Sequence, residues 1–315
     1  LPVVPVTFAS LLWSSTYPIT VEPIVPIPQA CSTSPPSHGT AKGGIYVFLF
    51  DEWSYERTFD GRSALPRYPH LADFAKTATV YHNAHSPAPN TEASLPAILM
   101  QTADAVKINN GWAGFRTADG TFRSTRDYTS LFGRLGPLGY HTGMIGCAMP
   151  YRLWLGEQVD LCRNHCVYSR GDGLWSQLGI HVFNAMHYSP DPWTTRGYKQ
   201  IEKRFLHGRY CSILSNVHND VRTIIREWPI NTFVFAHVPL PHFPAVLKPD
   251  LTFCELQQTG WSEDDIGQYQ ANLAAVDAML GDFVTALQQA GKYDDATIVL
   301  TSDHTWRTDP NWAAG

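Results

Sequence analysis

Acids and histidines stand where two apolar runs of this 315-residue chain stop. Ile45-Tyr46-Val47-Phe48-Leu49-Phe50 is followed by Asp51-Glu52, and Thr297-Ile298-Val299-Leu300 by Thr301-Ser302-Asp303-His304. Carboxylate oxygens together with an imidazole nitrogen make a ligand set for a divalent cation. Two more positions fit the same chemistry. Thr91 heads the segment Thr91-Glu92-Ala93-Ser94-Leu95-Pro96-Ala97-Ile98-Leu99, and His242 lies within Pro241-His242-Phe243-Pro244. A cation held by the acids polarises a hydroxyl such as that of Thr91, and a histidine donates to an anion's oxygens or to a leaving group. The set is sufficient for metal-assisted transfer of an anionic group.

These side chains need elements to bring them together. Both apolar runs read as strands buried on two faces, the pattern of a parallel sheet. In open α/β sheets, ligands bind beyond the carboxyl ends of the strands, where Asp51 and Asp303 would both lie. Residues 69–78 have helical spacing and 79–81 read as a short strand. Thr91 starts a helix, where a Thr most often caps a free backbone N–H; the functional alternative is that its oxygen faces the metal. The helix start adds positive potential for an anion. Residues 127–146 read as helix, glycine turn and strand, and 213–228 as a helix leading to a strand at 232–236. Ser262 with Asp265 signals the start of a helix over 263–290, and Gly291 its end. Strands alternating with helices predict a mostly parallel sheet with helices on both faces.

The pI of about 6.2 and the formal charge of -5 argue against a nucleic-acid partner. Residues 1–43 read as an N-terminal extension and linker; 1–30 are apolar but broken by prolines, short of the ~20 apolar residues of a spanning helix. Such a stretch is compatible with membrane attachment ahead of Leu1 or with an irregular extension. Residues 44–315 read as the folded domain, with 147–212 as an insertion shaping the substrate mouth. Six cysteines point weakly to an oxidising, extracytoplasmic setting, and sequence does not choose among their pairings.

From 44 to about 307 the sequence resembles the alkaline phosphatase/sulfatase superfamily. The resemblance rests on Asp51-Glu52 after an apolar strand, Asn83-Ala84-His85-Ser86-Pro87 leading to Thr91, Gly139-Tyr140-His141-Thr142, Pro241-His242-Phe243-Pro244, and Thr301-Ser302-Asp303-His304. It implies an α/β fold of the alkaline phosphatase type, a three-layer sandwich around a mostly parallel sheet. It implies one divalent metal held by Asp51, Thr91, Asp303 and His304, with Glu52 as a further candidate. Thr91 would be the nucleophile, transiently esterified, and His242 would contact the oxygens of the phosphate or sulfate group. Zinc or manganese suits a site of carboxylates plus His304 better than calcium or magnesium.

Departures from the family narrow the reaction. Sulfatases proper carry Cys- or Ser-x-Pro-x-Arg, and Thr91-Glu92-Ala93-Ser94-Leu95 has neither the Cys nor the Arg. The segment resembles instead the Thr-nucleophile members that transfer phosphoglycerol or phosphoethanolamine groups or cleave phosphodiesters. Cys147-Ala148-Met149 replaces a Lys-Trp-His clamp, and family members continue well past the Asp-His motif. Metal-dependent cleavage or transfer of phosphate esters is the expectation. The alternatives are a sulfate-ester hydrolase working without formylglycine and a non-catalytic binding module. Ser94 is the rival nucleophile, and His237 reads as a strand-end histidine.

Overall fold

The computed structural model describes residues 43–109, 112–165, 192–260, 262 and 265–309. In chain order the elements are β1 (Ile45–Phe50), α1 (Tyr55–Thr58), β2 (Phe59–Asp60), β3 (Ser63–Ala64), α2 (Pro69–Ala75), α3 (Thr91–Met100) and β4 (Ala105–Asn109). There follow β5 (Trp112–Arg116), β6 (Phe122–Ser124), α4 (Leu131–Leu135), β7 (His141–Cys147), α5 (Tyr151–Leu155) and β8 (Leu161–His165). The last are α6 (Pro192–Glu227), β9 (Thr232–Val238), α7 (Ile266–Gln289) and β10 (Thr297–Ser302).

Five strands form one sheet in the order β10-β1-β9-β7-β8, every pair parallel. β1 sits between β10 and β9, with Phe50 opposite Ser302 on one side and Val238 on the other. That register carries the carboxyl ends of the three strands to one place.

Side chains alternate across a strand, so β1 feeds two cores. Tyr46, Phe48 and Phe50 join one with Val217, Val221 and Ile224 of α6 and Met279 and Phe283 of α7. Leu49 joins the other with Leu95 and Leu99 of α3 and Phe132, Trp154 and Phe235. The antiparallel sheet β4-β5-β6 adds Ala113 and Phe115 to this second core. The result is the three-layer α/β arrangement expected from the sequence. Each fully buried aliphatic or aromatic side chain contributes roughly 1.5–3 kcal/mol.

Several local expectations change. Residues 79–81 form no strand, and Tyr81 is exposed. The helix before β9 begins far earlier than 213, at Pro192. Asp265, rather than Ser262, caps α7, its carboxylate accepting from the N–H groups of Gly267 and Gln268. Gly291 follows the helix with φ +65°, the left-handed geometry that ends helices with least strain in glycine. Within 147–212, β8 is a strand of the main sheet and α5 packs in the second core; residues 166–191 lie outside the described residues. At the far end of α6, the buried Lys292 ammonium donates to the carbonyls of Ile225 and Trp228, satisfying acceptors the helix leaves open. Among the described residues no helix is long and apolar enough to cross a membrane.

Candidate active site

The ends of β1 and β10 are stapled together. Ser302 Oγ accepts from the Trp53 N–H at 2.9 Å and donates to the His304 carbonyl at 2.6 Å. Asp303 Oδ1 accepts from the Glu52 N–H at 3.1 Å and the His304 N–H at 2.9 Å. Glu52 has φ 66°, an uncommon conformation for a residue with a Cβ and one that costs about 1–3 kcal/mol. Strain of that kind is held where surrounding bonds over-determine the backbone. Here the Tyr269 hydroxyl, 2.6 Å from the Glu52 carbonyl, supplies another of them.

Thr91 does not cap α3. Asn90 is the cap, its side chain accepting from the Ala93 N–H at 2.9 Å. This leaves Thr91 at the first helical position with its hydroxyl turned to the strand ends. Thr91 Oγ1 lies 3.3 Å from Asp51 Oδ1 and 3.2 Å from His304 Nε2. His304 Nδ1 donates to the Thr305 carbonyl at 2.8 Å, which leaves a lone pair on Nε2. That nitrogen is also 3.8 Å from Asp51 Oδ1 and 3.4 Å from Asp303 Oδ2. Thus Asp51, Thr91, Asp303 and His304, singled out in the sequence, come together in one cluster. Ser94 is fully buried and donates to the Asp303 carbonyl at 2.6 Å, so its hydroxyl is committed to holding the loop.

His237 joins the cluster as well, and sequence reasoning undervalued it. It lies inside β9 rather than beyond it, opposite Leu49 in the register. Its Nδ1 is 2.5 Å from the Tyr151 hydroxyl, which is itself 3.4 Å from the Cys147 carbonyl. With the hydroxyl donating to that carbonyl, it accepts from Nδ1–H, and Nε2 keeps its lone pair. Nε2 is 3.6 Å from Asp51 Oδ2. The only sequence signal was a histidine near the end of a strand adjoining the acidic one.

The donor atoms fit a divalent cation. Asp51, His237 and Asp303 each offer an atom within 4.8 Å of the others, all three residues buried. His237 Nε2 and Asp303 Oδ2 are buried without a hydrogen-bond partner. Leaving such atoms unmet costs about 1–3 kcal/mol each, a demand that metal coordination answers. Burial pushes the Asp51 carboxyl up, but the imidazoles of His242, His237 and His304 outweigh it and hold it well below the usual carboxylate range. Asp303 goes the other way: burial and the neighbouring Asp51 charge raise it. Carboxylates pushed apart in this way are common at functional sites and occur in structural ion-pair networks as well.

Glu52 turns from the cluster. Its side chain meets the Arg307 guanidinium, whose Nη2 is 2.5 Å from His242 Nε2. The His242 N–H donates to the Asp51 carbonyl at 3.2 Å, placing this residue at the rim of the same site. Arg307 was not anticipated; nothing in the spacing of Thr305-Trp306-Arg307 marks it.

The sulfatase family model matches residues 58–313. This chain belongs to the sulfatase family. The match starts after Asp51, so that residue's place rests on the fold. Among solved structures the chain resembles Ps i-CgsB in complex with k-i-k-neocarrahexaose, at 16% identity, 83% of this chain, 58% of that one and a TM-score of 0.52. Ps i-CgsB in a second crystal structure gives 16%, 83%, 58% and 0.51. The C-terminal periplasmic domain of EcEptC from Escherichia coli, in complex with Zn, is more distant, at 13%, 85%, 65% and 0.45. The chain therefore spans well under two thirds of the Ps i-CgsB structures, and at these identities the likeness is one of fold. No curated protein matches the sequence.

Proposed function

We propose that this sulfatase-family chain carries a metal-dependent site for cleaving or transferring phosphate esters, phosphodiesters foremost, through a covalent phospho-threonine on Thr91. The observation that carries the reading is the placement of Thr91 Oγ1 between Asp51 Oδ1 and His304 Nε2, at the start of a helix. Asp51, Asp303 and His304 would hold the cation with Thr91, and His237 is added to that set. Zinc or manganese suits these donors best. When bound, a divalent ion supplies Lewis acidity, which lowers the cost of ionising a hydroxyl and of gathering negative charge.

The chain's residues do the rest. The Thr91 hydroxyl hydrogen points to Asp51 Oδ1, where it is held as the oxygen approaches phosphorus. The Thr91 O–P bond forms, the bond from phosphorus to the leaving alcohol's oxygen breaks, and that oxygen takes up the proton that the Thr91 hydroxyl gave to Asp51. His242, which takes a proton on Nε2 when Arg307 leaves that nitrogen, donates to the phosphoryl oxygens at the rim. Water or an acceptor hydroxyl then breaks the Thr91 O–P bond and restores the threonine, giving ping-pong kinetics. The test compares a phosphodiester with a sulfate ester under zinc and under manganese, in the parent and in Thr91→Ala. Phosphodiester turnover lost in a folded Thr91→Ala protein supports the reading; parental turnover in that variant refutes it.

Sulfate-ester hydrolysis is the second reading, favoured by the family match itself. Against it stands Thr91, in a segment with neither the Cys nor the Arg of the formylglycine motif. A working place outside the cytoplasm is proposed from the proline-broken apolar start; among the described residues no disulfide joins Cys147, Cys162, Cys211 or Cys254, so these cysteines add nothing to it. Fractionation of expressing cells tests it, and a cytoplasmic pool alone would refute it.

A further inference from the structure

Three carboxylates, Asp51, Glu52 and Asp303, are buried within a few residues of where the strands end. A divalent ion balances two of those charges. An ester that is itself anionic still has to approach the third. The guanidinium of Arg307 is bonded to that third acid, Glu52.

The geometry around Arg307 is that of a built site. Its side chain is 38% exposed, against 5% for Glu52, so it stands between a buried acid and solvent. His242 Nδ1 donates to the Phe243 carbonyl at 2.6 Å, so Nε2 is an acceptor and the Arg307 Nη2 donates to it at 2.5 Å. Arg307 thus bridges the acid at the end of β1 and the histidine on the rim. The loop that carries it is pinned on both sides. Trp306 stacks on Tyr269 at 4.5 Å, and the Asp309 N–H donates to the Trp306 carbonyl at 2.9 Å. Asp309 in turn pairs with Arg57 at 3.2 Å. A planar guanidinium on a held loop suits paired hydrogen bonds to a tetrahedral oxyanion.

We propose that Arg307 is the substrate-binding cation of this site: it exchanges its contact with His242 Nε2 for the non-bridging oxygens of the bound ester, and so selects esters that carry negative charge. The inference rests on the ester-cleaving reading above and names its anion-binding residue. Arg307 keeps its bond to Glu52 during the exchange, so that acid does not face the incoming anion unpaired. A neutral carboxylic ester offers no partner for the guanidinium and is a poor substrate.

The metal-loaded protein is titrated with inorganic phosphate, and separately with inorganic sulfate, by calorimetry. Turnover of a phosphodiester is measured on the same samples. Arg307→Met, Arg307→Lys and the double variant Arg307→Met with Glu52→Gln are compared with the parent. Phosphate affinity is expected to fall about tenfold or more in Arg307→Met, equivalent to about 1.4 kcal/mol. Arg307→Lys recovers part of it, and KM rises more than kcat falls. The double variant, which no longer has a buried Glu52 charge to balance, is expected to bind phosphate as weakly as Arg307→Met. Parental phosphate affinity in Arg307→Met, or its recovery in the double variant, overturns the inference, because Arg307 then only balances Glu52. If the parent cleaves the ester while Arg307→Met keeps parental affinity, this inference falls and the ester-cleaving reading stands. If the parent binds phosphate in an Arg307-dependent way without cleaving, the reading falls and the anion site stands. A parent that neither binds nor cleaves sinks both.

Discussion

Two clusters of charged side chains lie against the same helix-covered sheet, one half-buried between helices and one buried at the strand ends, and they end up in opposite states. Between α6 and α7, Asp282 takes His218 Nε2 at 2.7 Å on one oxygen and Arg222 Nη1 at 2.6 Å on the other. Every carboxylate oxygen there has a cationic or neutral donor. At the strand ends, Asp51, His237 and Asp303 converge with His237 Nε2 and Asp303 Oδ2 left without hydrogen bonds. The first cluster is a finished joint between helices. The second is a demand for something the chain itself does not supply. Titratable groups alone do not distinguish a site from a seam; the difference here is that unmet atoms coincide with side chains grouped to hold a metal.

Substitutions should separate the two clusters. The largest effect is expected from Thr91→Ala: turnover falls about a thousandfold or more while stability changes by about 1 kcal/mol, since two long hydrogen bonds are lost. Steady-state kinetics beside thermal unfolding checks this, and an unfolded variant or near-parental turnover would erase the contrast. His237→Ala should weaken metal binding, with the metal-free fold kept. Asp282→Ala should do the reverse, costing about 1–3 kcal/mol of stability with metal affinity unchanged. A metal titration and a melt on both variants read this difference directly. If Asp282→Ala lost the metal, the division between seam and site would be wrong.

Tyr151→Phe sharpens the comparison. It removes the hydroxyl 2.5 Å from His237 Nδ1 without changing the packing against Trp154. Partners that orient a metal-binding histidine are typically worth about 10–100-fold in affinity. A loss in that range is expected, and none at all would mean that His237 is oriented by packing alone.

A smaller effect follows from pH. The Asp303 carboxyl is raised by burial and by the Asp51 charge, so acid reaches it sooner than an ordinary aspartate. For a raised acid the folded state holds its proton more tightly than the unfolded chain. The metal-free protein therefore gains from this residue as pH falls from neutral through its folded value, and the gain levels off below the unfolded value. Metal affinity moves the opposite way and weakens over the same window, because protons compete for Asp303. Melting curves with and without metal should converge as pH is lowered from neutral. Curves that stay parallel would remove Asp303 from the ligand set.

Most of the frame was legible because its signals are local. An apolar run of six residues before Asp51 and one of four before Thr301-Ser302-Asp303-His304 announce buried parallel strands, and the structure pairs those strands side by side. Thr91 was legible through spacing, but its freedom to face the acids depends on Asn90 taking the cap, a competition that propensity alone does not decide. Arg307 and Tyr151 were invisible. Each acquires its role from a partner far along the chain, His242 for one and His237 for the other. The segment 79–81 misled for the opposite reason: β-branched and aromatic residues suggest a strand, but no neighbouring edge receives it. β8 carries Arg163, Asn164 and His165, so its sequence lacks the apolar run of a central strand, as befits an edge.

The most direct test of the unmet cluster is a calorimetric titration of zinc, then manganese, into the metal-free parent and into Asp303→Asn. The expected result is about one ion bound per parent chain, with a rise in melting temperature, and binding lost or much weakened in Asp303→Asn although that variant stays folded. A parent that binds neither metal, or an Asp303→Asn variant that binds as the parent does, would contradict the reading of these strand ends as a metal site.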